Sequence, residues 1–289
     1  MNQENRYINF NGKIIPESHL KISTANRSFR YGDGLFESIR IRNGRPLFIE
    51  DHLKRLFEGI KVLKMVFPDD NAPDFKKLIS ETCNANNINS GGYARLTIYR
   101  GGEGKFMPET HKTEFIIETY PLENEFIWSK KNLNIGMFPN FKKPVNLLSS
   151  VKSNNAQLQI LASIYAAENN LDDALILNIN NEIIEATSSN LFWIKNQTIY
   201  TPPLISGPLP GVMRKQILFI CNSLNYNISE ICPKESDLLE ADEIFLTNAI
   251  SGIIPVSGFG QKRFFRNISL KIVNELNKYS ENYLLSRPD

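Results

Sequence analysis

Metal and disulfide chemistry are what this sequence leaves least room for. Its three cysteines, Cys83, Cys221 and Cys232, are scattered and form no CxxC pair, so neither a disulfide framework nor a thiolate metal site is written into it. Its three histidines, His19, His52 and His111, share no metal-ligand spacing. No run approaches the roughly 18 apolar residues that a membrane-spanning helix needs. The N-terminal "MNQENRYINFNGK" is polar and lacks the apolar segment of a signal peptide. The expectation is a reducing, cytoplasmic setting with no membrane and no metal. An excess of one charge is missing as well. The 33 basic and 31 acidic residues leave a net charge of +2, which argues against a dedicated nucleic-acid binder. The most basic stretch, "GQKRFFR" at 260–266, interleaves cations with Phe264 and Phe265. A hairpin with a solvated basic rim explains it more simply than a nucleic-acid patch.

What is present is the balance of a globular chain: 42% hydrophobic and 22% charged over 289 residues, enough for one large or two ordinary domains. Asn11-Gly12 and Asn43-Gly44 each sit between short apolar runs and predict hairpins. In "LFESIRIR" the period is two, with Phe36, Ser38, Arg40 and Arg42 on one face and Leu35, Glu37, Ile39 and Ile41 on the other. Leu53, Leu56, Ile60, Leu63 and Val66 then recur at three and four, which predicts an amphipathic helix. A second helix is expected over 72–87, and strands at "GYARLTIYR" and "EFIIETYPL". The pattern loosens in "PLENEFIWSKKN". We therefore expect an N-terminal domain at 1–120, a linker at 121–131 and a C-terminal domain at 132–289. In the second half, "NNAQLQILASIYAAENN" predicts a helix with Leu158, Leu161, Ile164 and Tyr165 along its stripe. Short strands follow, then a helix opening at Pro210 and Gly211, a strand pair in "ADEIFLTNAISGIIPV" and a final helix from Ile268 to Leu284. Strands grouped with helices in each half, without strict alternation, predict an α+β fold in both.

Three features carry chemistry. Lys152 follows a serine-rich segment at the expected entrance of a helix, the pole that favours anions over cations. Glu185 follows an apolar pair and precedes a buried-looking strand, where a carboxylate must be paired, hydrogen-bonded or protonated. "SGPLPGVMRKQ" is a Gly- and Pro-rich turn opening directly into a helix, a natural anion site. An amine nucleophile, a buried carboxylate and a phosphate cradle are together what pyridoxal 5′-phosphate requires. Singly, each also has an ordinary reading: a surface lysine, a strand-end carboxylate and a plain helix start.

The motifs "NRSFRYGDGLFESIRI", "DHLKRL", "RLTIYRGG", "VKSNNA", "EATSSNLFWI", "YTPPL", "GVMR" and "TNAISGIIPV", in this order, cover nearly the whole chain. Together they resemble the class IV aminotransferases, fold-type IV enzymes that use pyridoxal phosphate. The resemblance implies a two-domain fold like that of the D-amino-acid aminotransferases, with the cofactor between the domains, and a homodimer. It implies that Lys152 is the Schiff-base lysine and Glu185 the partner of the pyridine nitrogen. Arg55, the amides of Val212 and Met213, and Thr247 or Asn248 would bind the phosphate. The local alternative for Arg55 is an i,i+4 ion pair with Asp51. Arg40 and Arg100 match positions near the substrate in relatives and would meet its carboxylates, or else serve the structure. Arg95, on the same strand as Arg100, exchanges roles with it if the strand's faces are reversed.

Within the family, "GVMR", "TNAISGIIPV" and "SSNLFWIKNQTIYTP" resemble the aminodeoxychorismate lyases, which release 4-aminobenzoate and pyruvate from 4-amino-4-deoxychorismate in folate biosynthesis. The alternative is an amino-acid aminotransferase of the D-amino-acid or branched-chain type. Gln157 stands where the branched-chain pattern has tyrosine, which disfavours that branch. Lys152, Ser153 and Asn155 suit both the lyases and the D-amino-acid enzymes.

Overall fold

The computed structural model describes residues 6–127 and 133–287; residues 128–131 of the expected linker lie outside them. The described chain forms two compact units.

The first unit is a six-stranded sheet with two long helices. Its strands are β1 (Tyr7–Phe10), β2 (Lys13–Pro16), β3 (Gly34–Arg42), β4 (Arg45–Pro46), β5 (Gly92–Arg100) and β6 (Thr113–Pro121), in the order β2-β1-β6-β5-β3-β4. Every pairing is antiparallel. The two Asn-Gly hairpins form as expected: Asn11, Gly12, Asn43 and Gly44 all take positive φ, as the tight hairpin turn demands. Helices α1 (Arg27–Tyr31), α2 (Ile49–Val62) and α3 (Phe75–Ala85) complete the unit. The period-two reading of β3 holds. Leu35, Ile39 and Ile41 are buried in a core shared with Leu56 and Ile60 of α2 and Ile79 of α3. Helix α2 stops at Val62, before Leu63 and Val66, because the chain turns through Lys64 at positive φ.

The second unit holds β7 (Leu133–Met137), β8 (Asp173–Leu177), β9 (Ile183–Ala186), β10 (Asn190–Lys195), β11 (Thr198–Thr201), β12 (Ile228–Glu230), β13 (Glu243–Asn248), β14 (Gly252–Phe259) and β15 (Lys262–Arg263). Their order is β12-β11-β10-β13-β14-β7-β8-β9, with β15 on β14. Strand β9 also pairs with β10 through Glu185 and Asn190, so the far edge of the sheet returns to its middle. The helices are α4 (Gln157–Glu168), α5 (Val212–Ser223), α6 (Glu235–Leu239) and α7 (Ile268–Leu285). Aromatic stacking of Phe192 on Phe245, ring centroids 5.0 Å apart, ties β10 to β13. The basic Lys262 and Arg263 stand exposed on the β14–β15 hairpin.

Two expectations for this half are corrected. The buried side of α4 is made by Ala162 and Ala166, with Leu158 and Tyr165 beside them, whereas Leu161 and Ile164 are exposed. Small residues let the helix approach β8 closely, so its buried face is marked by size and not by hydropathy. Lys152 is not at a helix entrance, because α4 begins five residues later with Ala156 as its N-cap. Val151–Asn155 belongs to the first unit, held there by backbone hydrogen bonds to β3.

Candidate active site

In the first unit the lysine segment is pinned on both sides. The Phe36 N–H donates to the Lys152 carbonyl at 3.0 Å, and the Asn154 N–H donates to the Gly34 carbonyl at 2.9 Å. The Asn154 side chain donates to Ser28 Oγ at 2.9 Å, and the Asn155 amide to the Gly32 carbonyl at 3.2 Å. Gly34 has to be glycine: a Cβ there would lie 2.6 Å from the Asn154 amide nitrogen and 2.8 Å from the Ile98 carbonyl. The two asparagines of "VKSNNA" are thus the fasteners that dock Lys152 on "RYGDG". Lys152 Nζ lies 4.3 Å from the centre of the Phe36 ring, and the Arg95 guanidinium lies 3.9 Å from the same ring. Each contact is worth about 0.5–2 kcal/mol, depending on desolvation.

On the opposite face of β3, Glu37 is almost wholly buried. Arg55 grips it with two bonds, Nε to Oε1 at 2.8 Å and Nη2 to Oε2 at 2.5 Å, and His52 Nδ1 lies 2.7 Å from Oε2. Arg55 therefore serves a carboxylate on the neighbouring strand, a partner that local spacing could not show. Burial alone would raise the Glu37 pKa, but the charge of Arg55 and the hydrogen bond from His52 outweigh it and hold the carboxyl at about 2. Burial pushes the His52 pKa down, against the pull of Glu37. Neutral His52 then donates from Nδ1, and its buried Nε2 has no hydrogen-bond partner among the described residues.

Arg40 and Arg100 are both buried and hydrogen-bonded within the first unit. Arg40 is buried and donates through Nη2 to the carbonyls of Glu123 and Glu125, at 2.5 and 2.6 Å. Arg100 is buried too, paired with Asp33 at 2.9 Å and donating to the Leu63 and Lys64 carbonyls. Both guanidiniums satisfy backbone acceptors that burial has taken from water. Arg95 shares a ring with Lys152 instead.

The second unit brings Glu185, Asn190, Thr247 and the start of α5 together. Glu185 on β9 is buried. It accepts from Lys143 Nζ at 2.7 Å on Oε1 and from the Leu209 N–H at 2.7 Å on Oε2. Its register partner on β10 is Asn190, which in turn stands opposite Thr247 on β13. The Asn190 side chain donates to the Leu209 carbonyl at 2.8 Å, fixing the turn that leads into α5. Val212 and Met213 form the first turn of α5, whose N-cap is Gly211, with no side-chain cap and no acidic residue in that turn. Asn248 spends its side-chain oxygen on the N–H groups of Ile250 and Ser251, so it closes its own turn. Sequence reasoning missed Glu37, His52 and Lys143. Only the period-two face of β3 hinted at the first.

The family model for class IV amino-transferases matches residues 34–259. The chain belongs to the class IV aminotransferases. An aminodeoxychorismate lyase of Vibrio harveyi is 28% identical over 247 residues, 84% of this chain and 89% of that protein. The branched-chain-amino-acid aminotransferase of Escherichia coli K12 is 27% identical over 262 residues, 86% and 84% of the two chains. The fold matches that of a T.th. branched-chain amino acid aminotransferase, solved with pyridoxamine 5′-phosphate, at a TM-score of 0.85 and 24% identity, covering 98% and 96% of the chains.

Class IV aminotransferases use pyridoxal phosphate, and these residues of the second unit fit that group. Thr247 is 1% exposed, and its Oγ1 is a buried polar atom with no described partner, as a hydroxyl kept for a phosphate would be. The amides opening α5 lack the side-chain acceptor that commonly satisfies them. Gly211 leaves no room for a side chain, since a Cβ there would sit 1.9 Å from Asn190 Oδ1. In this class IV aminotransferase Gly211→Ala is therefore expected to displace Asn190 and weaken pyridoxal phosphate binding by about tenfold or more. Equilibrium titration of the apoprotein checks this; unchanged affinity would mean that the turn relaxes without cost to the site. Among the described residues no group of three or more His, Cys, Asp or Glu is placed to hold a metal ion, and no helix is long and apolar enough to cross a membrane.

Proposed function

We propose that this enzyme cleaves 4-amino-4-deoxychorismate to 4-aminobenzoate and pyruvate, using pyridoxal phosphate carried on Lys152. The observation that carries the cofactor reading is in the second unit: Glu185, Asn190 and Thr247 stand side by side on paired strands, Asn190 reaches the turn that opens the uncapped α5, and Thr247 Oγ1 has no partner among the described residues. The lyase reading is supported by the "GVMR" and "TNAIS" spellings and by the similarity to the Vibrio lyase.

The bound cofactor supplies an electron sink for the carbon that bears the substrate amine. Lys152 Nζ holds the cofactor through its amine and, once displaced by the substrate amine, takes the proton from that carbon. Glu185 accepts a hydrogen bond from the ring nitrogen and supplies the opposing charge. The Val212 and Met213 amides and Thr247 Oγ1 bind the phosphate. Arg55 would share its guanidinium between that phosphate and Glu37. Phe36 bounds the space over Lys152 Nζ and limits water there.

A second reading, an amino-acid aminotransferase, is favoured by one observation. Arg95 shares the Phe36 ring with Lys152, whereas Arg40 and Arg100 are engaged by backbone carbonyls, and one cation matches a single α-carboxylate. The branched-chain relative points the same way. Offering the purified holoenzyme 4-amino-4-deoxychorismate, and separately D-alanine or L-leucine with 2-oxoglutarate, decides between them. We expect 4-aminobenzoate and pyruvate in equal amounts. Fast amino-acid turnover with no 4-aminobenzoate would replace the lyase with the transaminase.

A further inference from the structure

Lys143 stands out as a buried cation that sequence patterning does not explain. It lies in "NFKKPV", ahead of the lysine segment. Its backbone is woven into the second unit, with its N–H on the Leu177 carbonyl at 2.8 Å and its carbonyl accepting from the Ile179 N–H at 3.0 Å. Its side chain is only 10% exposed, and among the described residues its ammonium has a single partner, Glu185 Oε1 at 2.7 Å.

A buried ion pair is weak evidence for stability, because desolvating two charges offsets most of their attraction. The pair makes more sense as placement. A carboxylate offers about four lone-pair directions. Lys143 takes one on Oε1 and the Leu209 N–H takes one on Oε2, so both oxygens are fixed and each retains capacity for another donor. We propose that Lys143 is a positioning residue for the cofactor's ring nitrogen: by fixing Glu185 Oε1, it holds the carboxylate oriented to accept the ring N–H. This rests on the cofactor reading above. The same arrangement leaves Glu185 shared between two cations. Without Lys143 the carboxylate would keep only the Leu209 N–H, and nothing would stop Oε1 turning away from the ring nitrogen.

The test measures binding, not turnover. Apoprotein is titrated with pyridoxal phosphate and with an analogue that has carbon in place of the ring nitrogen. Lys143→Met is expected to weaken pyridoxal phosphate by about 10- to 100-fold and to leave the analogue's affinity within a few-fold of wild type. Lys143→Arg keeps a cation and is expected to restore most of the difference. Equal losses for both ligands would make Lys143 a merely structural residue and overturn the proposal, as would unchanged or tighter pyridoxal phosphate binding in Lys143→Met, or an Arg variant as weak as the Met variant. If wild-type protein binds the analogue and pyridoxal phosphate equally, the ring nitrogen has no partner here and the proposal falls while the cofactor reading stands. If wild type binds neither, the cofactor reading itself falls. Should Lys143→Met not fold, Lys143→Met/Glu185→Gln removes both charges together, and it is expected to fold and to bind the two ligands alike. A remaining preference for pyridoxal phosphate in that double variant would contradict the proposal.

Discussion

Lys152→Ala is expected to yield a folded protein that is colourless after purification in excess pyridoxal phosphate and turns over no amine substrate. The side chain touches the Phe36 ring, but the contacts that seat its segment are made by the Lys152 carbonyl and by the neighbouring Asn154 and Asn155, none of which the substitution removes. Loss of that cation–π contact should cost about 0.5–2 kcal/mol and leave the protein folded. Function should respond quite differently, because the same amine both holds the cofactor and moves the proton. Loss of a positioned acid–base group alone costs about 10²–10⁴-fold in rate, and loss of the covalent attachment adds to that. Absorbance of the purified protein, a thermal melt and a product assay together check the prediction. A variant that keeps the cofactor's covalent absorbance would remove Lys152 from its assigned role. A variant that melts far below wild type would show that the lysine serves the fold. Small primary amines added to a colourless but folded Lys152→Ala protein should restore part of the proton transfer, because they can enter where the side chain was removed.

Sequence patterns identified the strands, hairpins and most helices here because each depends on neighbours in the chain. Asn43-Gly44 fixes its turn through its own backbone, and the alternation along β3 put Leu35, Ile39 and Ile41 inward without knowledge of what would cover them. What was not legible depends on residues far apart in sequence. Arg55 sits on α2, and its guanidinium reaches Glu37, 18 residues away on a neighbouring strand. Lys143 and Glu185 are separated by 42 positions and meet because Lys143 pairs at the end of β8, whose partner strand β9 carries Glu185. Arg40 and Arg100 were assigned by motif position to substrate. Both also donate to backbone carbonyls, and no one-dimensional pattern shows that a carbonyl will lack water. Helix α4 shows the converse limit. Its apolar residues run all round the helix, so hydropathy could not say which side faces β8. The alanines decided it, because they permit the closest approach.

Glu37→Gln is the second substitution with a large expected effect, and it acts on the fold first. The carboxylate is the shared acceptor of Arg55 and His52, and all three side chains are buried or nearly so. An amide of the same size offers one oxygen where the carboxylate offers two, and it removes a buried negative charge from beside Arg55. Breaking such a pair from one side costs about 3–5 kcal/mol. That is a large share of the roughly 5–15 kcal/mol that holds typical domains together. The pH dependence should change in a predictable direction. Glu37 has its pKa lowered from 4.5 to about 2 on folding, so its contribution is fully present above pH 4.5 and is lost as the pH falls toward 2. His52 has its pKa lowered from 6.5, so the folded state resists its protonation and loses stability as the pH drops below 6.5. Wild type should therefore weaken in two stages on acidification. In Glu37→Gln the stage between pH 4.5 and 2 should be much reduced from an already lower plateau, because there is no carboxylate left to protonate. Denaturant titrations at about pH 7, 5.5, 4 and 3 would show it. A variant within about 1 kcal/mol of wild type at neutral pH, with the same acid dependence, would mean that the Glu37 cluster does not contribute as its geometry implies. Because Arg55 is also a proposed phosphate partner, the variant should lose more affinity for pyridoxal phosphate than for pyridoxal, and a phosphate-to-pyridoxal affinity ratio equal to that of wild type would separate the fold-holding role of Arg55 from any role at the cofactor.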